Sequence, residues 1–284
     1  MPILNTLGIE LFYETYGDQS KPPVLLITGL GGYGKSWAAQ IPFFSRDFFV
    51  IVPDHRGVGG STHTLDGHST EQLAADMASL VEHLSIGPVH VVGASTGGAV
   101  AQYMALNHPS TVRTLTLSST FARFDPFTHR EFQVRRKITA EWDPQMLYSA
   151  SVLFLLSPRY TRNQPEKVEA WIERAVKGFG DDRHREIAVK RIDMIMAHDA
   201  FARLNEIKVP TLVLCGELNL CTPLPLSEEL ASNIPGATLT VLADAGELIE
   251  IEKGEDYYLT IKAFIGGSDS GSSDHSHAAI HSRG

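Results

Sequence analysis

The stretch Val89–Leu106, VHVVGASTGGAVAQYMAL, decides the fold. It opens on an apolar run (88–92, PVHVV) and closes on a small-residue helical pattern over 97–107. Between them lies Gly93-Ala94-Ser95-Thr96-Gly97, a G-x-S-x-G match. Gly and Ser are common, so the match by itself says little. A buried strand before it and a helix after it make it specific for a serine on a strained strand-to-helix turn. Such a turn tolerates only small residues two positions either side of the serine, hence Gly93 and Gly97. It aims the Thr96 N–H at a reacting oxygen from a helix N-terminus. The plainer alternative is a tight turn whose serine caps the helix.

Outward from this turn, strand and helix signals alternate. Residues 8–15 alternate like a half-exposed strand, while 23–28, 49–53 and 112–118 are continuous apolar runs, as in buried parallel strands. Residues 70–85 carry apolar positions at helical spacing, with Thr70 as N-cap. Residues 122–200 show helical patterns, for example over 166–178 and 184–200, and no convincing strand. The alternation resumes with 209–215, a helix near 225–233, a strand over 237–242 and a final helix over 255–265. This pattern predicts an α/β fold: a mostly parallel, doubly wound sheet interrupted by a helical insertion. The expected division is a core over 1–120, a helical insertion over 121–200, the rest of the core over 201–265 and a disordered tail over 266–284. A solvated tail is the simpler reading of its His275, His277 and His281, with weak metal binding as the alternative.

Composition narrows the partners. The net charge of −9 offers no attraction for nucleic acid or an anionic membrane. Apolar runs fall short of the roughly 18 residues of a spanning helix, and MPILNTLGIE lacks the basic and apolar regions of a signal peptide. Cys215 and Cys221 make no disulfide framework. The expectation is a cytoplasmic protein acting on a small-molecule substrate, without cofactor, with a homodimer as the assembly entertained. No metal-ligand spacing is present.

Two further segments fit the serine turn. Thr28-Gly29-Leu30-Gly31 follows a strand where a second oxyanion donor is expected, with the Leu30 N–H as donor and Gly29 among the oxyanion and substrate-binding residues. Asp54-His55-Arg56-Gly57-Val58-Gly59-Gly60-Ser61 reads as a structural turn in which Asp54 and Arg56 are partners. On these motifs, residues 8–265 resemble the α/β-hydrolase superfamily, and within it the 3-oxoadipate enol-lactonase-like and the pyrimidine-utilisation aminoacrylate/carbamate hydrolases. The segments ITGLGGYGKSWAAQ, REFQVRRK and RLNEIKVPTLVLCGE carry the second likeness. The resemblance implies a lid over 121–200 and a site between lid and core. The resemblance also places Trp37 near the pocket entrance, although packing explains it equally well.

A motif of another class overlaps the first segment. Residues 29–36, GLGGYGKS, match the phosphate-binding G-x-x-x-x-G-K-[ST], with Asp54 placed to hold a metal. That loop needs a long helix directly after Lys35-Ser36, and Pro42 would break it.

The acid and base of the resembled family are replaced. Where it carries an acid after a late strand stands Asn219, in Cys215-Gly216-Glu217-Leu218-Asn219. Where it carries a histidine stands Glu247, in Ala243-Asp244-Ala245-Gly246-Glu247. An ordinary Glu, with a pKa of about 4.3, is a poor base for a serine hydroxyl. Burial raises that pKa and improves the match, and the Asn219 amide is suited to orient the carboxylate. His198, Asp125 and Glu217 are weaker candidates for the missing roles. The resulting expectation is a hydrolase of a small ester, lactone or amide-like compound, with Ser95, Glu247 and Asn219 in its site. The alternatives are cofactor-free lyase, isomerase or decarboxylase chemistry at the same residues, or a silent ligand-binding homologue.

Overall fold

A computed structural model describes residues 2–270. Eight strands form one sheet: β1 Ile3–Thr6, β2 Ile9–Tyr16, β3 Pro23–Ile27, β4 Phe49–Pro53, β5 Val89–Ala94, β6 Val112–Ser118, β7 Thr211–Gly216 and β8 Thr238–Leu242. Their order is β1-β2-β4-β3-β5-β6-β7-β8. β1 and β2 join antiparallel, and β4-β3-β5-β6-β7-β8 run parallel. This is the mostly parallel sheet expected from the apolar runs. β3 to β7 are buried almost throughout, because helices cover both faces.

The helices are α1 Ile41–Phe44, α2 Thr70–Leu84, α3 Thr96–Asn107, α4 Pro126–Glu141, α5 Pro144–Leu155, α6 Pro158–Asn163, α7 Pro165–Gly178, α8 Asp182–Met196, α9 Leu224–Asn233, α10 Ile249–Glu252 and α11 Gly254–Ser270. One apolar layer packs α2 and α3 on the sheet through Leu73, Met77, Leu80, Val100 and Met104. The other packs α1 and α11 through Phe44, Tyr257, Tyr258 and Ile261. The N-cap of α2 is Ser69, whose hydroxyl accepts from the Gln72 N–H, one residue before the expected Thr70.

Between β6 and β7 the chain builds the helices α4 to α8, and a bridge between Arg123 and Asp199 pairs the two ends of this insertion. Their starts are local. Asp125, Asp143 and Ser157 each cap a helix whose first turn holds a proline, and Asp181 caps α8. Three of these helices went unread in the sequence, although their Asp-Pro and Ser-Pro pairs carry the signal. The final helix runs to Ser270, five residues past the expected boundary. His275, His277 and His281 lie outside the described residues.

Residues 34–37 form a single 3₁₀ turn after β3, followed by the four-residue α1 with Pro42 in its first turn. No long helix follows Lys35, so the phosphate-loop geometry is absent here. Asp54 and Arg56 are both structural, but not as each other's partners. Asp54 accepts from the Gly34 N–H (2.6 Å) and the Gly60 N–H (2.9 Å), while Arg56 is bidentate on Asp76 of α2 at 2.7 and 2.6 Å.

Candidate active site

Ser95 sits between β5 and α3 at φ 53°, ψ −119°. A non-glycine residue there costs on the order of 1–3 kcal/mol, and such strain gathers at functional sites. The surroundings impose it. A Cβ on Gly97 would fall 2.1 Å from the Ile27 carbonyl oxygen, and one on Gly93 would fall 2.3 Å from that of Gly97. Ser95 occupies the N-cap position of α3, but its side chain makes no capping bond. Its carbonyl is held by the Thr120 hydroxyl at 2.7 Å, and its N–H donates to Ser118 at 2.8 Å. The stretch Ser118-Ser119-Thr120 thus supplies the hydroxyl that braces the turn.

Leu30 and Thr96 are brought close to this serine. A Cβ on Gly29 would lie 3.3 Å from that of Ser95, so the turn carrying Leu30 passes directly beside it. The N–H groups of Leu30 and Thr96 donate to no protein acceptor among the described residues. Trp37 is elsewhere. It is 2% exposed, lies in the core layer with α1 and α11, and packs against Tyr257. It is a core residue rather than part of a pocket entrance.

Glu247 and Asn219 meet as their chemistry suggests. Asn219 Nδ2 donates to Glu247 Oε2 at 2.8 Å and to the Thr222 hydroxyl at 2.9 Å. Asn219 Oδ1 accepts from the Thr222 N–H at 2.9 Å, which fixes the amide's orientation. Thr222 Oγ1 therefore has its own proton free for Glu247 Oε2, 2.6 Å away. Oε2 receives two donors, while Oε1 has no hydrogen-bond partner. The Ser95 hydroxyl is near enough to favour the ionised form. Burial outweighs these donors and holds the Glu247 carboxyl above the usual glutamate range. Thr222 is the member that sequence reading missed.

Three more polar side chains lie close. Glu131 of α4 is buried, its carboxyl pushed up to about 7 by burial despite Arg135 beside it. Arg135 approaches Glu131 at 3.6 Å and donates to Cys221 Sγ at 2.9 Å. It also lines a small cavity of about 30 Å³ with Leu30, Ile138, Leu147, Phe154 and Ile192, between insertion and core. The weaker sequence candidates fall away. His198 is buried against Tyr103 and Phe121, bonded to Thr70 and pushed down to about 4 by burial. Asp125 caps α4, and Glu217 accepts the Asp244 N–H. Among the described residues, no group of three His, Cys, Asp or Glu side chains is disposed to hold a metal, and no helix is long and apolar enough to cross a membrane.

Glu250, on α10, is pushed up to about 8, first by burial and then by Glu247 and Glu252. The folded state therefore keeps a proton that the unfolded chain loses above about pH 4.3. Stability should fall as pH rises from there to about 8, at up to about 1.4 kcal/mol per pH unit from this group. Urea unfolding at about pH 5 and 8 should show that fall, and Glu250→Gln should reduce it. An unchanged slope would mean that Glu250 is ionised in the folded protein.

Comparison with known proteins agrees with this architecture. The family model described as "alpha/beta hydrolase fold" matches residues 22–254. The chain is 32% identical over 239 residues to the "Putative carbamate hydrolase RutD" of Azorhizobium caulinodans, covering 84% of this chain and 88% of that one. It is 28% identical over 258 residues to the protein of that name from Pseudomonas syringae pv. syringae, covering 90% and 98%. Among solved structures it superposes on the enol-lactonase from Burkholderia xenovorans LB400 with a TM-score of 0.83 and 27% identity, over 93% of this chain and 100% of that one. A thermophilic esterase from Thermogutta terrifontis gives 0.80 and 28%, over 94% and 97%.

Proposed function

The chain belongs to the α/β-hydrolase fold family, a family of hydrolases, and from that premise we propose that it cleaves a small ester, lactone or carbamate at a Ser95–Glu247–Asn219 site. The observation that carries this reading is the strained Ser95 turn beside a buried, oriented carboxylate. The names of the relatives, a carbamate hydrolase and an enol-lactonase, support the substrate class.

In this mechanism Glu247 Oε1 takes the Ser95 proton as Oγ attacks the carbonyl carbon. The oxygen anion that forms is met by the Leu30 and Thr96 N–H groups. Its collapse expels the leaving group, which takes the proton back from Glu247. Water then attacks the acyl-serine by the same route and frees the acid. Asn219 and Thr222 keep Oε2 occupied, so proton transfer passes through Oε1. A neutral Asn suits this role: an Asp at 219 would set two carboxylates against each other. Helices α4 to α8 act as the lid over this site.

A second reading rests on the raised pKa of Glu247. In its neutral form this carboxyl would donate a proton from Oε1, as cofactor-free lyase or isomerase chemistry requires.

A fluorophosphonate probe separates the two. We expect covalent labelling of the wild type, lost in Ser95→Ala, together with turnover of small aryl esters or carbamates. Absence of both labelling and turnover would overturn the hydrolase reading.

A further inference from the structure

α8 of the insertion carries Arg191, the largest cationic side chain held wholly inside the protein, at 1% exposure. A guanidinium so buried ordinarily has a carboxylate beside it. Among the described residues, none lies within ion-pair distance of Arg191. Its acceptors are neutral. Nε donates to the Leu30 carbonyl at 2.8 Å, Nη2 to His55 Nδ1 at 2.9 Å, and Nη1 reaches the Arg56 carbonyl at 3.5 Å. An Arg can only donate, so His55 accepts at Nδ1 and is neutral. Burial, followed by Arg191 itself, holds the His55 imidazole well below its usual range.

The loop is shaped to admit this cation. Gly32 sits at φ +77°, and a Cβ there would fall 2.8 Å from Arg191 Nη2 and 2.7 Å from a Val58 methyl. Arg191 therefore ties the turn after β3 to the turn after β4, across the base of the loop that bears Leu30. Its pKa is pushed down to about 10 by burial, so it stays charged at neutral pH. The result is a positive charge without a counter-ion beneath a loop whose N–H is open.

We propose that Arg191 is a positioning residue for the reaction: its guanidinium fixes the Leu30 loop and lends positive charge to the oxygen anion formed over Leu30 and Thr96. This rests on the hydrolase reading above. The missing negative charge is the one that develops on the substrate, so Arg191 favours the transition state over the neutral ground state.

Phenylboronic acid tests this directly. Ser95 Oγ forms a bond to boron, its proton passes to Glu247, and the tetrahedral boronate anion places a negative oxygen over the loop. We expect the Arg191→Gln variant to bind the boronate about 10²-fold more weakly, the loss usual for one oxyanion donor. For 4-nitrophenyl acetate, kcat should fall with KM little changed. Arg191→Lys, which keeps the charge, should recover most of the boronate affinity. Wild-type affinity in Arg191→Gln would overturn the proposal, as would equal losses in the Gln and Lys variants. If Arg191→Gln does not fold, Arg191→Lys decides alone: retained affinity supports the proposal and lost affinity sinks it. Failure of the wild type to bind boronate, with Ser95→Ala unchanged from it, would instead sink the hydrolase reading and this proposal with it.

Discussion

Glu247→Gln should lower kcat/KM for an ester or carbamate by about 10²–10⁴-fold, the usual contribution of a positioned general base. The amide keeps the size of the side chain and can still accept from Asn219 and Thr222 through its oxygen. It cannot take a proton from Ser95. The pH profile gives the sign. A base acts in its deprotonated form, so activity should rise with pH as Glu247 ionises. Burial holds its pKa above the ordinary glutamate range, so the rising limb should lie above about pH 4.3. If Glu247 instead acts as an acid, activity falls with pH over the same window. A pH–rate profile on the wild type therefore separates the hydrolase mechanism from proton-donor chemistry, and a Gln variant of unchanged activity would remove Glu247 from either.

Gly97→Ala should damage both fold and site. The added Cβ would meet backbone: the Ile27 carbonyl oxygen at 2.1 Å and the Thr28 carbonyl oxygen at 2.7 Å. Neither can move without shifting β3 and the Leu30 turn that follows it. We expect a loss at or above the upper end of the roughly 1–3 kcal/mol typical of overpacking, read as a lower Tm, with fluorophosphonate labelling of Ser95 lost as well. Gly178→Ala is the control. It lies at the end of α7 with nothing within 4 Å of the new Cβ, so its Tm should stay within about 0.5 kcal/mol equivalent of wild type. Equal stability of the two variants would show that the turn is not under the constraint described.

The turn and the sheet were legible because their rules are local. The strain at Ser95 demands small residues within two positions, and buried parallel strands demand unbroken apolar runs. Both appear directly in the order of residues. The replacements at 219 and 247 were legible in the same way, as departures at fixed offsets from strands.

The sequence alone therefore determined the fold, the position of Ser95 and the identity of the two altered partners. Only the tertiary structure decided how they work together. Thr222 joins Glu247, Thr120 braces Ser95 and Arg191 holds Leu30 across 25, 25 and 161 residues respectively. Trp37 lies in the apolar layer under α11, against Tyr257, rather than at the pocket. Such pairings follow no periodicity. They are chosen by burial: a polar group removed from water must find a partner, and the partner is whichever side chain folding brings within about 3 Å.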